Sequence, residues 1–488
     1  MTPAAGVPSR LRRAVRPPWG SRNFDVLMGA RAAMSVGRAL AGVVTPIYLA
    51  LLGFDAVELA EFVLVVSLTS ALLSAGIGVV ADRVGRRPFL IGTPLLVTAA
   101  GVAFAVTGSH PVLFVMGALG SFGRGSGAGG GSVGPYQPAE AAFATDSVAP
   151  RHRNAAFGRL TFASSAGATA GGLLALLVPA THLHGAAATA LFRPAFVAIA
   201  VLSAVAGLAA LALVEDGRPG TDRPEAGGSR VAGGSRVDGG SRVDGGGRVD
   251  GGGRVAGGGR VAGGTQVPAG PPEPAGGRRP ILPFPRRSRW LLYRLWITNT
   301  LNGMGIGMLG PFVTYWFFRR FGAGAGQIGV LFAIINAASM ASALTAAGLA
   351  RRWGLVRTLT AMRVAQAVLL VPMVLAPTFA LAGGIYLVRM LVQRVGLPLR
   401  QSYSLGLADP EERAAVAALA NVPSQLAMAG SPLATGVLFE EVNLSLPFEI
   451  AAVLQLAYTA TFWVFFRHHP PDEERQRVPE VTPAPVPP

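Results

Sequence analysis

Polar and apolar positions along the chain separate into twelve long apolar blocks with short polar stretches between them. The blocks run roughly over 24–52, 57–80, 88–107, 111–134, 155–179 and 190–213, then over 291–318, 327–350, 356–376, 380–399, 414–438 and 447–466. Each is long enough to cross a hydrocarbon layer of about 30 Å at about 1.5 Å per residue as a helix. Apolar residues inside a block are massed rather than spaced at a helical or strand period, so no continuous face is reserved for water. The pattern predicts an all-α integral membrane protein with twelve transmembrane helices.

Composition narrows this further. Of 488 residues, 51% are hydrophobic and 14% charged, against about 25% charged in an average soluble domain. So few charges cannot cover the surface of a soluble protein of this length. The formal net charge of +17 would by itself raise nucleic acid as a partner, but its distribution argues against one. With the N-terminus placed in the cytoplasm, the inner loops carry Arg83, Arg86, Arg87, Arg151, Arg153, Arg351, Arg352, Arg357, Arg400 and Arg413. The outer loops carry Asp55, His110, His182, His184, Glu440 and Glu441. Arg319 and Arg320 are the basic pair on the wrong side. This is the positive-inside bias of a bacterial inner-membrane protein, and an even helix number leaves both termini cytoplasmic. The chain has no cysteine and no lysine, which excludes disulfides and thiolate metal sites. Its basic start (Arg10, Arg12, Arg13, Arg16) leads into a long block that contains Arg31 and Arg38 and has no small-residue cleavage pattern. It therefore reads as a retained first helix rather than a signal peptide.

Five segments follow: a basic cytoplasmic tail over 1–23, six helices over 24–214, a linker over 215–289, six helices over 290–467 and a Pro-rich cytoplasmic tail over 468–488. From Gly227 the linker repeats a hexapeptide six times, GGSRVA to GGGRVA. Glycine this dense cannot recover its ordering entropy by burial, so a flexible tether is expected. The two halves repeat each other. Shifted by 269 positions, Gly53 falls on Gly322, Arg83 on Arg352 and Gly85 on Gly354; shifted by 263, Pro135 falls on Pro398 and Asp146 on Asp409. Two six-helix pseudo-repeats are the expected architecture.

After the second block comes Gly78-Val-Val-Ala-Asp82-Arg83-Val-Gly85-Arg86-Arg87. Gly78 would admit a close helix approach and Gly85 a tight turn; Asp82 can accept hydrogen bonds, and Pro88 suits the first turn of the next helix. This stretch matches G-x-x-x-D-R-x-G-R-R at every fixed position, and by it the chain resembles the major facilitator superfamily of transporters. The resemblance implies that Gly78, Asp82, Arg83, Gly85, Arg86 and Arg87 form a loop that latches the two halves in one conformation and releases them in another. In the second half, Ala347 and Arg351 replace the Gly and the Asp, so the latch is expected mainly in the first.

The fourth block, Leu119-Gly-Ser-Phe-Gly-Arg124-Gly-Ser-Gly127-Ala-Gly129-Gly-Gly131, resembles the Arg-then-glycines helix of proton-coupled drug exporters with its glycine spacing off by one. Residues 138–157 read as the inner loop behind it. Arginines within apolar blocks usually face a cavity or a partner. The resemblance implies a cavity lined by the first, fourth, seventh and tenth helices, which makes Arg38, Arg124 and Arg389 candidates for a substrate or proton cavity. The alternative is that they bond backbone carbonyls as structural pins. Asn299 and Asn302 join them from the seventh block, whose Gly303, Gly305, Gly307, Gly310 and Pro311 predict a broken helix. With no carboxylate at mid-depth, Arg38 and Arg124 predict a preference for anionic or acceptor-rich solutes over lipophilic cations.

No His/Asp/Ser set, no phosphate-cradling Gly-Lys-Ser/Thr loop and no metal-ligand spacing is found, so neither an enzyme nor a cofactor is expected. The reading is a secondary transporter that moves a small molecule by alternating access, coupled to protons, with drug or metabolite efflux as one direction and the lipid bilayer as its surroundings. A non-transporting receptor or scaffold on the same fold is the alternative. It would have no need for a loop that distinguishes two states.

Overall fold

The first helix starts because Ser21 caps it: the Ser21 hydroxyl accepts the Phe24 N–H at 3.1 Å, satisfying one of the free amides of the first turn. In the computed structural model, α1 runs Arg22–Leu51, α2 Ala56–Val84, α3 Arg87–Val106, α4 His110–Gly120, α5 Tyr136–Ser147, α6 Arg153–Leu174, α7 Ala186–Ala190 and α8 Arg193–Ala210. The second set is α9 Arg289–Leu309, α10 Phe312–Phe321, α11 Ala325–Trp353, α12 Leu355–Val368, α13 Leu370–Leu375, α14 Phe379–Gly406, α15 Val422–Glu441 and α16 Leu446–Phe466. The structure describes residues 21–123, 134–179, 186–213, 288–353, 355–406, 412, 416 and 419–467. The 215–289 linker, apart from its last two residues, both expected tails, Arg124 and its glycine run, Gly354, Asp409 and the Asp82 side chain lie outside the described set.

No strand occurs among the described residues, and each of the twelve predicted spans contains a described helix. Seven of the described helical stretches are long and apolar enough to cross a membrane. One block differs from expectation. The fourth is not one helix over 111–134: α4 stops at Gly120, Ser121 and Gly123 take positive φ of 55° and 70°, and α5 resumes at Tyr136. Residues 138–147, expected as loop, are helical because Ala139, Ala141, Ala142 and Ala144 favour a helix where the preceding glycines do not. The seventh is broken as expected, α9 giving way to α10 at Gly310 and Pro311.

Packing repeats between the halves. In the first, α1 lies against α6 and α8, and α3 against α8; in the second, α9 lies against α15 and α16, and α12 against α16. Gly53 and Gly322, matched by the sequence repeat, both sit in loops with positive φ, 99° and 64°. The bundle thus has a Gly53 end, where α1, α3, α10 and α15 finish, and a Gly85 end, where α2, α5, α8 and α16 finish. Aromatic rings fill each half. Tyr48 meets Phe196 at 4.9 Å in the first and Trp316 meets Phe448 at 4.9 Å in the second. Val197, Val201, Val205 and Leu208 form an exposed apolar stripe on α8, as a helix facing lipid would show.

The halves meet through α2 on α15 and α6 on α11, a pair of contacts related by the same repeat. Both rest on small residues, which let helices approach closely. A Cβ at Gly436 would lie 2.5 Å from the Ala56 carbonyl oxygen, and one at Gly172 would lie 2.6 Å from that of Gly329. These approaches fall at the Gly53 end.

Candidate functional site

The motif loop forms because α2 cannot continue through Gly85, whose φ of 102° and ψ of 163° are open only to glycine. The chain then turns directly into α3, with Pro88 in its first turn. Arg86 pairs with Asp146 of α5 and donates to the Ala142 carbonyl at 2.8 Å. Arg87 donates to the Leu211 carbonyl at 2.6 Å, beyond the end of α8. Arg86 and Arg87 thus fasten α2, α3, α5 and α8 of one half together, while Arg83 is exposed. Gly78 departs from expectation: a Cβ there would meet nothing within 4 Å among the described residues. The close approach read from sequence is absent in this conformation, because α2 touches the other half at the Gly53 end, far along the helix from Gly78.

Arg38 adopts the pinned alternative. Its Nη1 donates to the carbonyls of Gly120 at 3.0 Å and Ser121 at 2.8 Å, where α4 stops. A cation on a helix C-terminus satisfies orphan carbonyls and opposes the helix dipole. Half of the expected positive charge at mid-depth is therefore committed to the backbone; Arg124, the other half, lies outside the described residues. Seven residues earlier on the same face of α1, Arg31 pairs with Glu140 of α5. The two α1 arginines so clasp the two pieces of the fourth span, one on each side of its break.

The Arg31–Glu140 pair was not read from sequence. Arg31 is 8% exposed and Glu140 3%. Tyr136, one turn before Glu140, is close enough for both charges to act on it. Arg31 Nε, Glu140 Oε1 and the Tyr136 hydroxyl are buried without a hydrogen-bond partner. The signal for it was the spacing of Arg31 and Arg38, which places both on one helix face.

In the second half the expected cavity residues point into helix interfaces. Asn299 Nδ2 donates to the Ala420 carbonyl at 2.7 Å, and Asn302 Oδ1 accepts from Arg363 of α12 at 3.2 Å. Arg389, 4% exposed, donates from Nε to the Gln366 carbonyl at 3.2 Å. Arg389 therefore belongs to the α12–α14 contact. The α9 glycines are packing positions: a Cβ at Gly307 would lie 2.7 Å from the Met428 carbonyl oxygen, and one at Gly305 3.2 Å from Gln455 Cγ. Arg38, Asn302 and Arg389 thus occupy three separate interfaces. Among the described residues no group of His, Asp and Glu is arranged to hold a metal.

Comparison with known proteins places these features. Crystal structures similar in fold include the nucleoside transporter NupG, at 12% identity over 92% of this chain and 100% of that one, with a TM-score of 0.62. A bacterial homologue of the human lysosomal transporter Spinster, inward-facing and occupied, matches at 13% identity over 92% of this chain and 97% of that one, TM-score 0.62. A bacterial homologue of the iron transporter ferroportin, inward-facing, matches at 14% identity over 91% and 98%, TM-score 0.58. No curated protein sequence matches the chain. Residues 27–294 and 295–488 each match the Major Facilitator Superfamily, so the division into two halves, the motif loop and the match along nearly the whole length agree: the chain belongs to the Major Facilitator Superfamily, a family of membrane transporters.

Proposed function

We propose that this transporter is a secondary active carrier of a small molecule, that it works by alternating access, and that proton movement drives it. The observation that carries this reading is the one-ended interface: small residues of α2 and α15, and of α6 and α11, close the halves together at the Gly53 end, while near the other end no described residue packs against Gly78. A bundle closed at one end and open at a position shaped for closure at the other is one of two states. The positive-inside rule assigns the Gly85 end to the cytoplasm of a bacterial cell, which makes this the inward-open state. Two of the similar structures are themselves inward-facing.

In this reading Glu140 carries the proton. As a carboxylate it neutralises Arg31 across the α1–α5 contact; once protonated it no longer holds that guanidinium, and α5 is free to move relative to α1. Buried ionisable groups within membrane spans serve such relays. The test is uptake and efflux in proteoliposomes with an imposed proton gradient of either sign, for anionic, zwitterionic and cationic probes. Gradient-driven accumulation that ends with a protonophore supports the reading. If no probe moves while a disulfide between Ala60→Cys and Gly436→Cys forms regardless of gradient or solute, the protein is a static scaffold and the reading fails.

A further inference from the structure

A basic and aromatic corner at the start of α9 takes no part in the transport reading. Arg289 opens the helix, and Trp290 and Tyr293 follow it, 41% and 51% exposed. Arg294 stands one turn after Trp290 and holds its guanidinium 4.9 Å over that ring and 5.4 Å over the ring of Phe465 of α16. Its Nη1 donates to the Phe465 carbonyl at 3.2 Å, in the last turn of α16. Two positions further on comes Arg467, exposed like Arg289. Three arginines therefore stand where α16 ends and α9 begins.

These cations have no acid of their own. α9 contains no aspartate or glutamate, and the carboxylate of α16, Glu449, is near its opposite end, about 24 Å away along the helix. Glu412 lies at the start of α9, where its Oε2 accepts the Ser288 N–H at 2.7 Å. Among the described residues no ion pair joins an acid to Arg289, Arg294 or Arg467. Beyond the corner α9 carries an apolar stripe: Tyr293, Ile297 and Met304, 51%, 50% and 37% exposed, fall within about 40° of one another around the helix at about 100° per residue. α16 is long and apolar enough to cross a membrane, so its last turn, with Phe465, reaches the headgroup layer. Arginine beside exposed Trp and Tyr suits that depth, and the stripe suits the hydrocarbon next to it.

We propose that this corner is a binding site for one anionic phospholipid, its phosphate among Arg289, Arg294 and Arg467 and its acyl chains along Tyr293, Ile297 and Met304. The choice of lipid follows from charge. A zwitterionic headgroup brings an ammonium of its own to three arginines, whereas a headgroup of net negative charge brings only what they lack. Arg294 is the centre of the site: two rings and a carbonyl fix its guanidinium, and the carbonyl takes one of its five N–H donors.

The test uses the purified full-length protein in detergent, incubated with equal amounts of phosphatidylglycerol and phosphatidylcholine of identical acyl chains. Retained lipid is counted by native mass spectrometry, and a preference for phosphatidylglycerol is expected. Arg289→Gln and Arg467→Gln change exposed side chains, and each should lower that preference about fivefold, the effect of one arginine near an anionic headgroup. Arg153→Gln removes an exposed arginine at the same end of the bundle but outside the corner, and should leave the preference unchanged. Equal retention of the two lipids would overturn the site. So would a loss in Arg153→Gln as large as in the corner variants, because the charge of the whole surface would then hold the lipid. Asp472, Glu473 and Glu474 follow Arg467 in the chain, and deletion of residues 470–488 removes them. A preference that appears only after this deletion would assign the corner to the chain's own acids and overturn the proposal. None of these readouts depends on transport, so the proposal and the proton-driven reading fail separately.

Discussion

The Glu440 carboxylate accepts the Ala56 N–H at 2.9 Å, joining residues 384 positions apart and the last turn of α15 to the first turn of α2. The start of α2 is otherwise closed by its own residues: Asp55 Oδ1 takes the Glu58 N–H at 2.7 Å and Glu58 Oε2 takes the Asp55 N–H at 3.1 Å, a capping box. The third free amide is completed by the other half of the protein. An anion at a helix N-terminus is favourable, and this one is in place only while the halves are together at the Gly53 end. Under the proposed alternating access, the contact counts in one state and not in the other, which is what shifts a population.

Glu440→Ala should favour opening at the Gly53 end. Glu440 is exposed, so solvent screening holds the contact to about 0.3–1 kcal/mol, a two- to fivefold change in population. The chain has no cysteine, so Gly78→Cys gives a single reporter at the opposite end. Its labelling by a membrane-impermeant maleimide in inside-out vesicles should slow by that factor. An unchanged labelling rate would mean that Glu440 does not bias the two states.

Gly172→Val tests the second contact between halves. A Cβ at Gly172 would lie 2.6 Å from the Gly329 carbonyl oxygen and 3.0 Å from the Ala333 amide nitrogen, backbone atoms with no rotamer to yield. Overpacking of this kind costs about 1–3 kcal/mol, and under the proposed alternating access it falls only on the state in which the halves touch here. Insertion and expression should stay near normal while solute exchange drops about fivefold or more. Native exchange rates in the variant would show that closing this end does not require α6 and α11 to approach.

Gly78→Leu separates the states in the opposite sense. Nothing lies within 4 Å of a Cβ at Gly78, so the melting temperature of the purified protein should not change. In the proposed alternate state, where the motif loop would meet the other half, the added side chain has to be excluded. Transport should slow and Glu440-side closure should persist. A variant with lowered melting temperature and normal transport would place Gly78 in a packing contact of the present state instead.

How far the sequence reaches is uneven, for physical reasons. Block lengths and loop arginines lead to the spans because hydrocarbon thickness and the positive-inside bias dictate them, and the loop from Gly78 to Arg87 leads to the family. The break at Gly310 and Pro311 was visible since both residues disfavour helix by their covalent structure. The break after Gly120 was not, because glycines inside an apolar block are tolerated in membrane helices, and only Ser121 in the left-handed region reveals it. Side-chain destinations were the weakest reading. Arg38 and Arg389 read as cavity candidates from helix number and from the cost of an arginine in an apolar block, whereas their rotation about the helix axis sends them to the end of α4 and to α12. Arg31 reads from sequence only as part of a first helix, and no sequence spacing ties it to Glu140. Only the structure shows that α5 brings the two together.

Arg31 and Glu140 allow the most discriminating test, because the two single replacements should fail differently. Arg31→Gln leaves a buried carboxylate without its cation, a situation that costs about 3–5 kcal/mol, and should lower the melting temperature and yield. Glu140→Gln leaves a buried cation instead, but Gln still offers an acceptor oxygen to the Arg31 guanidinium, so the folded protein should survive with a smaller loss. If Glu140 is the proton carrier, Glu140→Gln should retain solute exchange across proteoliposomes at equal pH while losing accumulation driven by a proton gradient. The double replacement removes both charges and should restore most of the stability lost in Arg31→Gln without restoring accumulation. A pair that is only structural predicts the reverse association: accumulation would follow folded protein in all three variants. Accumulation in Glu140→Gln at the native ratio to exchange would remove Glu140 from the coupling path and leave the α1–α5 contact as its whole role.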